Sequence, residues 1–499
     1  MTRSRVVSLG LLLALFLPGT GLPVRSATPA DAGPTLQPPA VALTPDPFAA
    51  QGATLEVTWS TGEGCETPPE AAVTTLEQAA GLWGTWISST VLIEAEACWT
   101  SNISIPGAAG TGRPTTYVWN PPGAPLLNTS YPIALANALS GVKGDGPEIM
   151  LEFNANQDLS LATALHELAH GLGFVGLMTV EDNIGCCGDS SDSYWCPSPY
   201  DRFVIDSDGV LLLDLQTPDP RVLADRLTRD ANFGGPNTKA ANGGTAAKLY
   251  TPSNWSSYSS LSHLDQDTFQ STENALMTPS AAGSHPGPVG LAILQDMGWL
   301  RVDGAPNVVT SGPQILGAGQ ATPFDGELVW SGYADQSITY TWTADDQSPI
   351  THTGTTTTDS VTFTWTTPGR RRIILTATDG TATTFTTRDA LVYAVSVGGP
   401  VQADTGEAAT FTASVTPEVW TYPITYTWEA SGLPAVTHIG SHEFDDSATF
   451  TWRSAGSKTI TVTADIGAMA IQAVHAIEIE EWVLDNYIYV PLVVREGRE

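Results

Sequence analysis

The sequence predicts a multidomain protein in which a mixed α and β domain precedes two all-β sandwich domains. The chain has 499 residues, more than one ordinary core accommodates. Between 53 and 303, runs with strand alternation are interspersed with runs of helical spacing. After 304 the chain becomes rich in Thr, Val, Trp and Gly, and its short alternating runs repeat.

The first 27 residues have the layout of a secretory signal peptide. Arg3 and Arg5 precede an apolar run over 6–17, and small and helix-breaking residues follow. That run is short for a membrane span, and no later stretch approaches the roughly 20 apolar residues such a helix needs. We therefore expect a secreted, extracellular protein with no membrane span. Residues 28–52, rich in Ala, Pro and Thr, are interpreted as a linker or a short pro-segment.

The charge of the chain disfavours one class of partner. Lys and Arg number 20 against 52 Asp and Glu, which gives a formal net charge of -32. Such a surface repels nucleic acid and anionic lipid, so no nucleic-acid partner is expected. The acidity is interpreted as a means of keeping an extracellular protein soluble.

Five cysteines in an exported chain indicate disulfides. Cys65 is expected to bridge Cys98, and Cys196 to bridge either Cys186 or Cys187, which leaves one thiol over. The 186–196 loop also contains acidic residues that suit calcium, but a disulfide-tied surface loop is the favoured interpretation. The acidic residues concerned are Asp189 and Asp192.

The first domain, 53–303, contains a strand that leads into a capped helix. Asp158 and Ser160 each have the chemistry of a helix N-cap, and the apolar run LATALHELAHGLGF follows them. The elements predicted before this helix are a strand at 53–59, a helix at 68–87 and strands at 91–99 and 148–156.

His166, Glu167 and His170 form an H-E-x-x-H motif on that helix. Spacing of i and i+4 puts both imidazoles on one face, close enough to bind one metal ion, with Glu167 beside them. The alternative is an ordinary helix with solvated His and Glu. It is disfavoured because the apolar flanks would bury three polar groups without partners.

A catalytic zinc ion takes three protein ligands, so the motif requires a further donor. Only four of the eight histidines precede residue 304, which leaves His263 and His285 as candidates. His285 lies in a Gly, Pro and Ser-rich segment, and we interpret it as lining a cleft or merely exposed. His263 is therefore preferred.

The segments HELAHGLGF, SHLD (262–265), ALMTP (275–279) and VGLAILQDMGW (289–299) together resemble the leishmanolysin family of metzincins and its bacterial relatives. The resemblance implies an α+β zincin fold for 53–303, with Zn2+ bound by His166, His170 and His263. It also implies that Met277 forms a turn beneath the metal. The glycine of the metzincin motif is present as Gly173, whereas Gly176 replaces the usual third histidine. The cysteine-rich extensions of leishmanolysin are absent.

The motif and the resemblance together predict a zinc-dependent metalloendopeptidase that acts on proteins or peptides. Glu167 would activate a zinc-bound water for attack on the peptide bond. A secreted adhesin or binding protein with a non-catalytic domain of the same type is the alternative. The presence of both Glu167 and a candidate set of three ligands argues against a domain that has lost its catalytic activity.

The rest of the chain is predicted to form two tandem sandwiches, 304–398 and 399–484, and a tail, 485–499. ITYTW, TFTW and Gly-Pro recur at offsets of 86, 87 and 87 residues. The repeats resemble immunoglobulin-like or PKD-like modules of secreted enzymes, although the WDFGDG-type motif of PKD modules is absent. They are expected to serve as spacers or adhesion domains with surface or matrix contacts. Four repeated tryptophans are expected in the cores rather than on a carbohydrate-binding face: Trp342, Trp365, Trp428 and Trp452.

Overall fold

The computed structural model describes residues 52–187, 196–215, 219–257, 259–329, 337–419, 423–441, 443–467 and 469–482. The predicted signal peptide, all but the last residue of the predicted linker, the 485–499 tail and the two loop aspartates lie outside these ranges. Over the described residues, no helix combines the length and the apolar character that crossing a membrane requires.

Residues 52–303 form an α/β region whose centre is a four-stranded sheet of order β1-β3-β7-β4. The strands are β1 (Leu55–Trp59), β2 (Ile87–Ser88), β3 (Ile93–Thr100), β4 (Gly110–Pro114), β5 (Tyr117–Trp119), β6 (Ser130–Pro132), β7 (Ile149–Asn154), β8 (Thr179–Glu181), β9 (Ile184–Cys186), β10 (Val204–Ile205), β11 (Asn232–Phe233), β12 (Ala247–Lys248) and β13 (Leu300–Arg301). The helices are α1 (Glu70–Gly84), α2 (Ile133–Ser140), α3 (Leu161–Gly171), α4 (Pro220–Leu227), α5 (Pro236–Ala241), α6 (Gln266–Phe269) and α7 (Gly287–Met297), with 3-10 turns at Asp201–Phe203, Leu212–Leu215 and Ala275–Met277.

Three strands of the sheet are parallel and the fourth is antiparallel. β1, β3 and β7 run in the same direction, and β4 pairs antiparallel with β7. α1 buries Leu76 and Trp83, and the Trp83 indole Nε1 donates to the Leu165 carbonyl at 3.0 Å, which attaches α1 to α3. The helix predicted at 68–87 and the strands predicted at 53–59, 91–99 and 148–156 are confirmed as α1, β1, β3 and β7. β4 is an element that sequence patterns did not indicate.

The described residues beyond 303 form two β-sandwich modules, module 1 and module 2. The strands of module 1 are β14 (Asn307–Ser311), β15 (Ile315–Gly317), β16 (Ala321–Val329), β17 (Ile338–Ala344), β18 (Ile350–Gly354), β19 (Thr358–Thr364), β20 (Gly369–Thr378) and β21 (Thr383–Gly398). Those of module 2 are β22 (Gln402–Asp404), β23 (Ala408–Thr416), β24 (Ile424–Ala430), β25 (Val436–Ser441), β26 (Asp445–Thr451), β27 (Gly456–Asp465) and β28 (Ala470–Glu480).

The β21 strand belongs to both modules. Its first part pairs with β20 and its last five residues pair with β23, so one strand crosses from one sandwich to the next. The pairing Ala394↔Thr416 repeats the pairing Asn307↔Val329 of β14 with β16, with both residue numbers higher by 87. The last five residues of β21 therefore form the first strand of module 2.

The repeated tryptophans lie inside the sandwiches, as predicted. All four are at most 3% exposed: Trp342, Trp365, Trp428 and Trp452. The indole Nε1 of Trp342 donates to the Asp359 carboxylate at 2.7 Å, and that of Trp428 donates to Asp446 at 2.7 Å. Burial with a satisfied N–H is what a core role requires, and it excludes the carbohydrate-face interpretation for these four side chains.

Two disulfides link the described cysteines. Cys65 bonds to Cys98, as predicted, and Cys196 bonds to Cys187. Cys186 is the free cysteine, and its sulfur lies 3.2 Å from the Thr179 hydroxyl. The choice between the adjacent cysteines, which sequence left open, is thus made in favour of Cys187.

Candidate metal centre

α3 begins at a local signal and ends in the interior of the α/β region. The Ser160 hydroxyl accepts a hydrogen bond from Thr163 N at 3.0 Å and caps the helix, so Ser160 rather than Asp158 is the N-cap. The helix buries every residue from 164 to 171, including the motif. His166 and His170 are 5% and 8% exposed, and their rings lie edge to face with centroids 4.6 Å apart.

Gly173 turns the chain sharply after α3. Its φ of 107° lies in the region that favours glycine, and an added Cβ would lie 2.6 Å from Pro132 Cγ. This turn brings Phe174 back over the helix end, where its amide donates to Ala169 O at 3.0 Å. The Phe174 carbonyl then lies 2.7 Å from His170 Nδ1. The glycine therefore orients the second imidazole.

His263 joins the pair from a loop 93 residues further along the chain. Its Nε2 lies 3.1 Å from His166 Nε2 and 3.3 Å from His170 Nε2, while the two helical Nε2 atoms are 3.0 Å apart. His263 is 5% exposed. Among the described residues these three histidines form the group that could hold a metal ion.

The outer nitrogens fix the protonation of all three rings. Each Nδ1 lies against a backbone carbonyl, which only accepts: Leu276 O at 2.7 Å for His166, Phe174 O at 2.7 Å for His170 and Ser259 O at 2.8 Å for His263. Each Nδ1 therefore carries the proton, and in a neutral ring the Nε2 lone pair is free. Three lone pairs directed at one another repel unless a cation lies between them, so the arrangement fits a metal ion.

Burial favours the neutral state that a metal ligand requires. Loss of solvent lowers the pKa of His166 to about 4 and that of His263 to about 3. The pKa of His170 is lowered well below its usual value, mainly by the same burial and further by the two neighbouring rings. At neutral pH the three imidazoles are therefore uncharged, as the binding of a metal ion through nitrogen requires.

Glu167 follows His166 on α3 and packs against β4. It is 7% exposed, and burial raises its pKa to about 8 although the Gly112 amide donates a hydrogen bond to its carboxylate. β4 approaches the helix so closely that a Cβ on Gly112 would lie 2.0 Å from the Glu167 carbonyl oxygen. A Cβ on Gly110 would lie 2.9 Å from Glu167 Cγ. Glycine at both positions permits this contact.

The turn that contains Met277 links two of the imidazoles. The Leu276 carbonyl accepts from His166 Nδ1, and the Met277 carbonyl accepts from Leu264 N at 2.8 Å, next to His263. The Met277 side chain is fully buried. The 275–277 turn is thus placed to hold the first and third rings in relation to each other.

The rival histidine lies elsewhere. The His285 ring packs 4.8 Å from the ring of Trp86, and its Nδ1 accepts from Gly287 N at 2.9 Å. It is not a member of the three-histidine group. Its hydrogen bond to Gly287 N lies at the start of α7.

Some residues of the site carry no recognisable signal in the sequence. Gly110 and Gly112 lie in the short run GTGRP, which has neither an apolar alternation nor a known motif. Tyr200 and Asp201 also carry no sequence signal of their own: Tyr200 Oη donates to Leu261 O at 2.9 Å, and Asp201 Oδ1 accepts from Leu177 N at 2.9 Å. Both contacts hold loops that adjoin ligands.

Comparisons with known proteins identify no family. No protein-family model matches the chain, and no curated protein matches it. Among solved structures, the sulfur carrier protein SoxY from Chlorobium limicola f thiosulfatophilum matches at 13% sequence identity with a TM-score of 0.15. The match covers 17% of this chain and 79% of that chain. At that TM-score the likeness identifies neither the fold nor the function of this protein.

Proposed function

We propose that the protein is a secreted zinc-dependent metalloendopeptidase of the metzincin type, with Glu167 as its catalytic residue. The observation that supports the proposal most directly is the convergence of three imidazole Nε2 atoms, two of them on the helix that also buries Glu167. A site that only stabilised the fold would be expected to pair these nitrogens with donors.

The donor set fits zinc. Imidazole nitrogen is a preferred zinc ligand, and three protein ligands with one open position are typical of catalytic rather than structural sites. Bonds of about 2.0–2.1 Å in a tetrahedral arrangement separate ligand nitrogens by about 3.3–3.4 Å. The three observed separations of 3.0, 3.1 and 3.3 Å lie at or slightly below that spacing.

The chain's own residues supply the proton transfer and the geometry. Zinc, when bound by His166, His170 and His263, supplies a Lewis acid that acidifies water and polarises a carbonyl. Glu167 accepts a proton from the attacking water and passes it to the leaving amine nitrogen, a role that a positioned carboxylate can fill. The Gly112 amide fixes the orientation of that carboxylate.

An open strand edge supports a peptide as the substrate. Within the described part of the sheet β4 pairs only with β7, so its other edge has no strand partner. An extended peptide can add to such an edge through backbone hydrogen bonds. Because β4 contacts Glu167, a peptide bound there would pass close to the three histidines.

The test is hydrolysis of casein and of a mixed peptide library by the purified full chain, with and without a chelator. Activity that the chelator removes and zinc restores supports the proposal. Glu167→Gln keeps the shape of the side chain and should bind zinc while turnover falls by at least about 100-fold. Glu77→Gln, the same change at an exposed position of α1, is the matched control. Zinc binding without turnover in the unmodified chain would indicate the binding-protein alternative instead.

A further inference from the structure

Module 1 packs against the α/β region through specific hydrogen bonds rather than through a loose linker. The Asp389 amide donates to the Pro125 carbonyl at 2.8 Å, and Gln314 Nε2 donates to the same carbonyl at 3.0 Å. The Arg372 guanidinium lies 5.5 Å from the centre of the Phe203 ring, and its Nη2 donates to Arg202 O at 3.5 Å.

A second group of contacts joins α5 and α7 to β21. The Asn237 side-chain amide donates to Phe385 O at 2.9 Å and accepts from Phe385 N at 3.0 Å, as a neighbouring strand would. Asp296 of α7 holds this amide in place, because its Oδ1 accepts from Asn237 Nδ2 at 2.8 Å. Gln295 Nε2 donates to the Thr384 hydroxyl at 3.1 Å.

These contacts are not a requirement of the sandwich fold. The two modules share their strand register, so each interface residue of module 1 has a counterpart 87 residues later in module 2. The counterparts of the three side chains are small or apolar in module 2: Val401 for Gln314, Thr459 for Arg372 and Ala476 for Asp389. The polar set is therefore particular to the module that contacts the α/β region.

On the inner side, the segment Tyr200–Phe203 connects this interface to the metal centre. The Tyr200 hydroxyl donates to the Leu261 carbonyl at 2.9 Å. Leu261 has a φ of 68°, a strained value for leucine, and it precedes His263 by two residues. Asp201 accepts from Leu177 N, which lies in the loop that follows His170 and Phe174.

The buried Arg202 attaches the same segment to a loop that also packs against the sandwich region. Its Nε donates to the Thr129 hydroxyl at 2.9 Å, and its Nη2 donates to the Leu127 carbonyl at 2.9 Å. Leu127 belongs to the apolar cluster that includes Tyr393 of β21 and the core of module 2. The Tyr200–Phe203 segment is therefore bonded at one end to the His263 loop through Tyr200 and at the other to the 127–129 loop through Arg202.

We propose that module 1 helps to position His263 in the metal centre. Arg372 contacts the Tyr200–Phe203 segment directly. Gln314 and Asp389 bind Pro125, in the loop to which Arg202 of that segment is bonded. Tyr200 in turn holds the loop of His263. The inference rests on the proposed metal site, but it does not require that the protein cleave peptides.

The test uses the full chain with two variants and one control. Tyr200→Phe removes the inner hydrogen bond, and the double change of Gln314→Ala with Arg372→Thr removes outer contacts, with threonine taken from the matching position of module 2. Gln472→Ala removes an exposed glutamine side chain of module 2 that donates to the Thr463 hydroxyl of the same module at 3.0 Å. The control should behave as the unmodified chain.

Three measurements decide the matter. In the metal-free chain, amide hydrogen exchange at Tyr250, Leu261 and Leu264 should accelerate about fivefold in Tyr200→Phe, as the loss of one hydrogen bond predicts. In the presence of metal, competition with a chromophoric chelator should show zinc affinity lowered on the order of 10-fold. The cobalt-substituted protein should also show a changed visible spectrum. The double variant should likewise accelerate exchange at these amides, lower the zinc affinity and change the cobalt spectrum.

The inference fails if either variant lowers only the global stability and leaves the local exchange, the zinc affinity and the cobalt spectrum unchanged. If the unmodified chain binds zinc but cleaves no peptide, the proposed function fails and the inference stands. If the chain binds no zinc, unchanged exchange at the His263 loop still overturns the inference.

Discussion

Replacement of Asp389 by asparagine tests the charge balance at the side of module 1 that faces the α/β region. The Asp389 carboxylate is fully buried and lies 3.4 Å from Arg370 Nη1 and 3.6 Å from Arg372 Nε. Burial, together with the positive charges of Arg370 and Arg372, lowers the pKa of the nearby Arg202 to about 9. Asp389→Asn keeps the side-chain shape and removes the negative charge that faces these guanidinium groups.

The expected loss follows from the burial of the partners. Breaking a fully buried ion pair costs about 3–5 kcal/mol. The side chains of Arg370 and Arg372 keep 33% and 21% exposure, so water compensates part of that cost. We therefore expect a loss of about 2–3 kcal/mol, which lowers the melting temperature of a unit of this size by roughly 4–12 °C.

Calorimetry of the full chain measures the effect. Asp325→Asn is the matched control, because Asp325 is an exposed residue of β16. The reasoning is refuted if Asp389→Asn melts at the same temperature as the control.

Three further outcomes are expected. Gly112→Ala places a Cβ 2.0 Å from the Glu167 carbonyl, which displaces β4 from α3 and should reduce turnover about 100-fold. Gly81→Ala is the control, because its Cβ would meet nothing within 4 Å and turnover should stay unchanged. Equal activities of the two variants in a casein assay would contradict the proposed contact. His263→Ala removes one of three donors, so dialysed protein should fall from about one zinc per chain to well below it by elemental analysis; full retention would exclude His263 as a ligand. Replacing Cys65 and Cys98 together by alanine opens a loop whose ends are 33 residues apart, and denaturant unfolding should show a loss of about 3–4 kcal/mol; an unchanged midpoint would mean that the bridge contributes nothing to stability.

Local sequence signals were sufficient for the elements that carry the first two histidines. Apolar alternation predicts β7, Ser160 supplies the cap, and spacing of i and i+4 places His166 and His170 on one face because helix geometry is set by neighbouring residues. The choice of His263 required elimination and a family resemblance, since its position depends on the path of a long loop.

What sequence did not predict depends on contacts between distant elements. The approach of β4 to α3 is possible because Gly110 and Gly112 lack side chains, a feature without periodicity. The contact of Arg372 with Phe203 joins two regions that each fold around their own core. The choice of Cys187 over Cys186 is made by the backbone, which brings its Cα to 5.2 Å from that of Cys196.

The β21 strand imposes a parity on the junction between the modules. Side chains alternate along it without interruption, and Val395 and Val397 point into the apolar cluster of module 2. One residue inserted between Tyr393 and Ala394 would turn both valines to the opposite face, whereas two inserted residues would preserve the alternation. The junction should therefore accept length changes only in even steps, unlike a flexible hinge, which is indifferent to them.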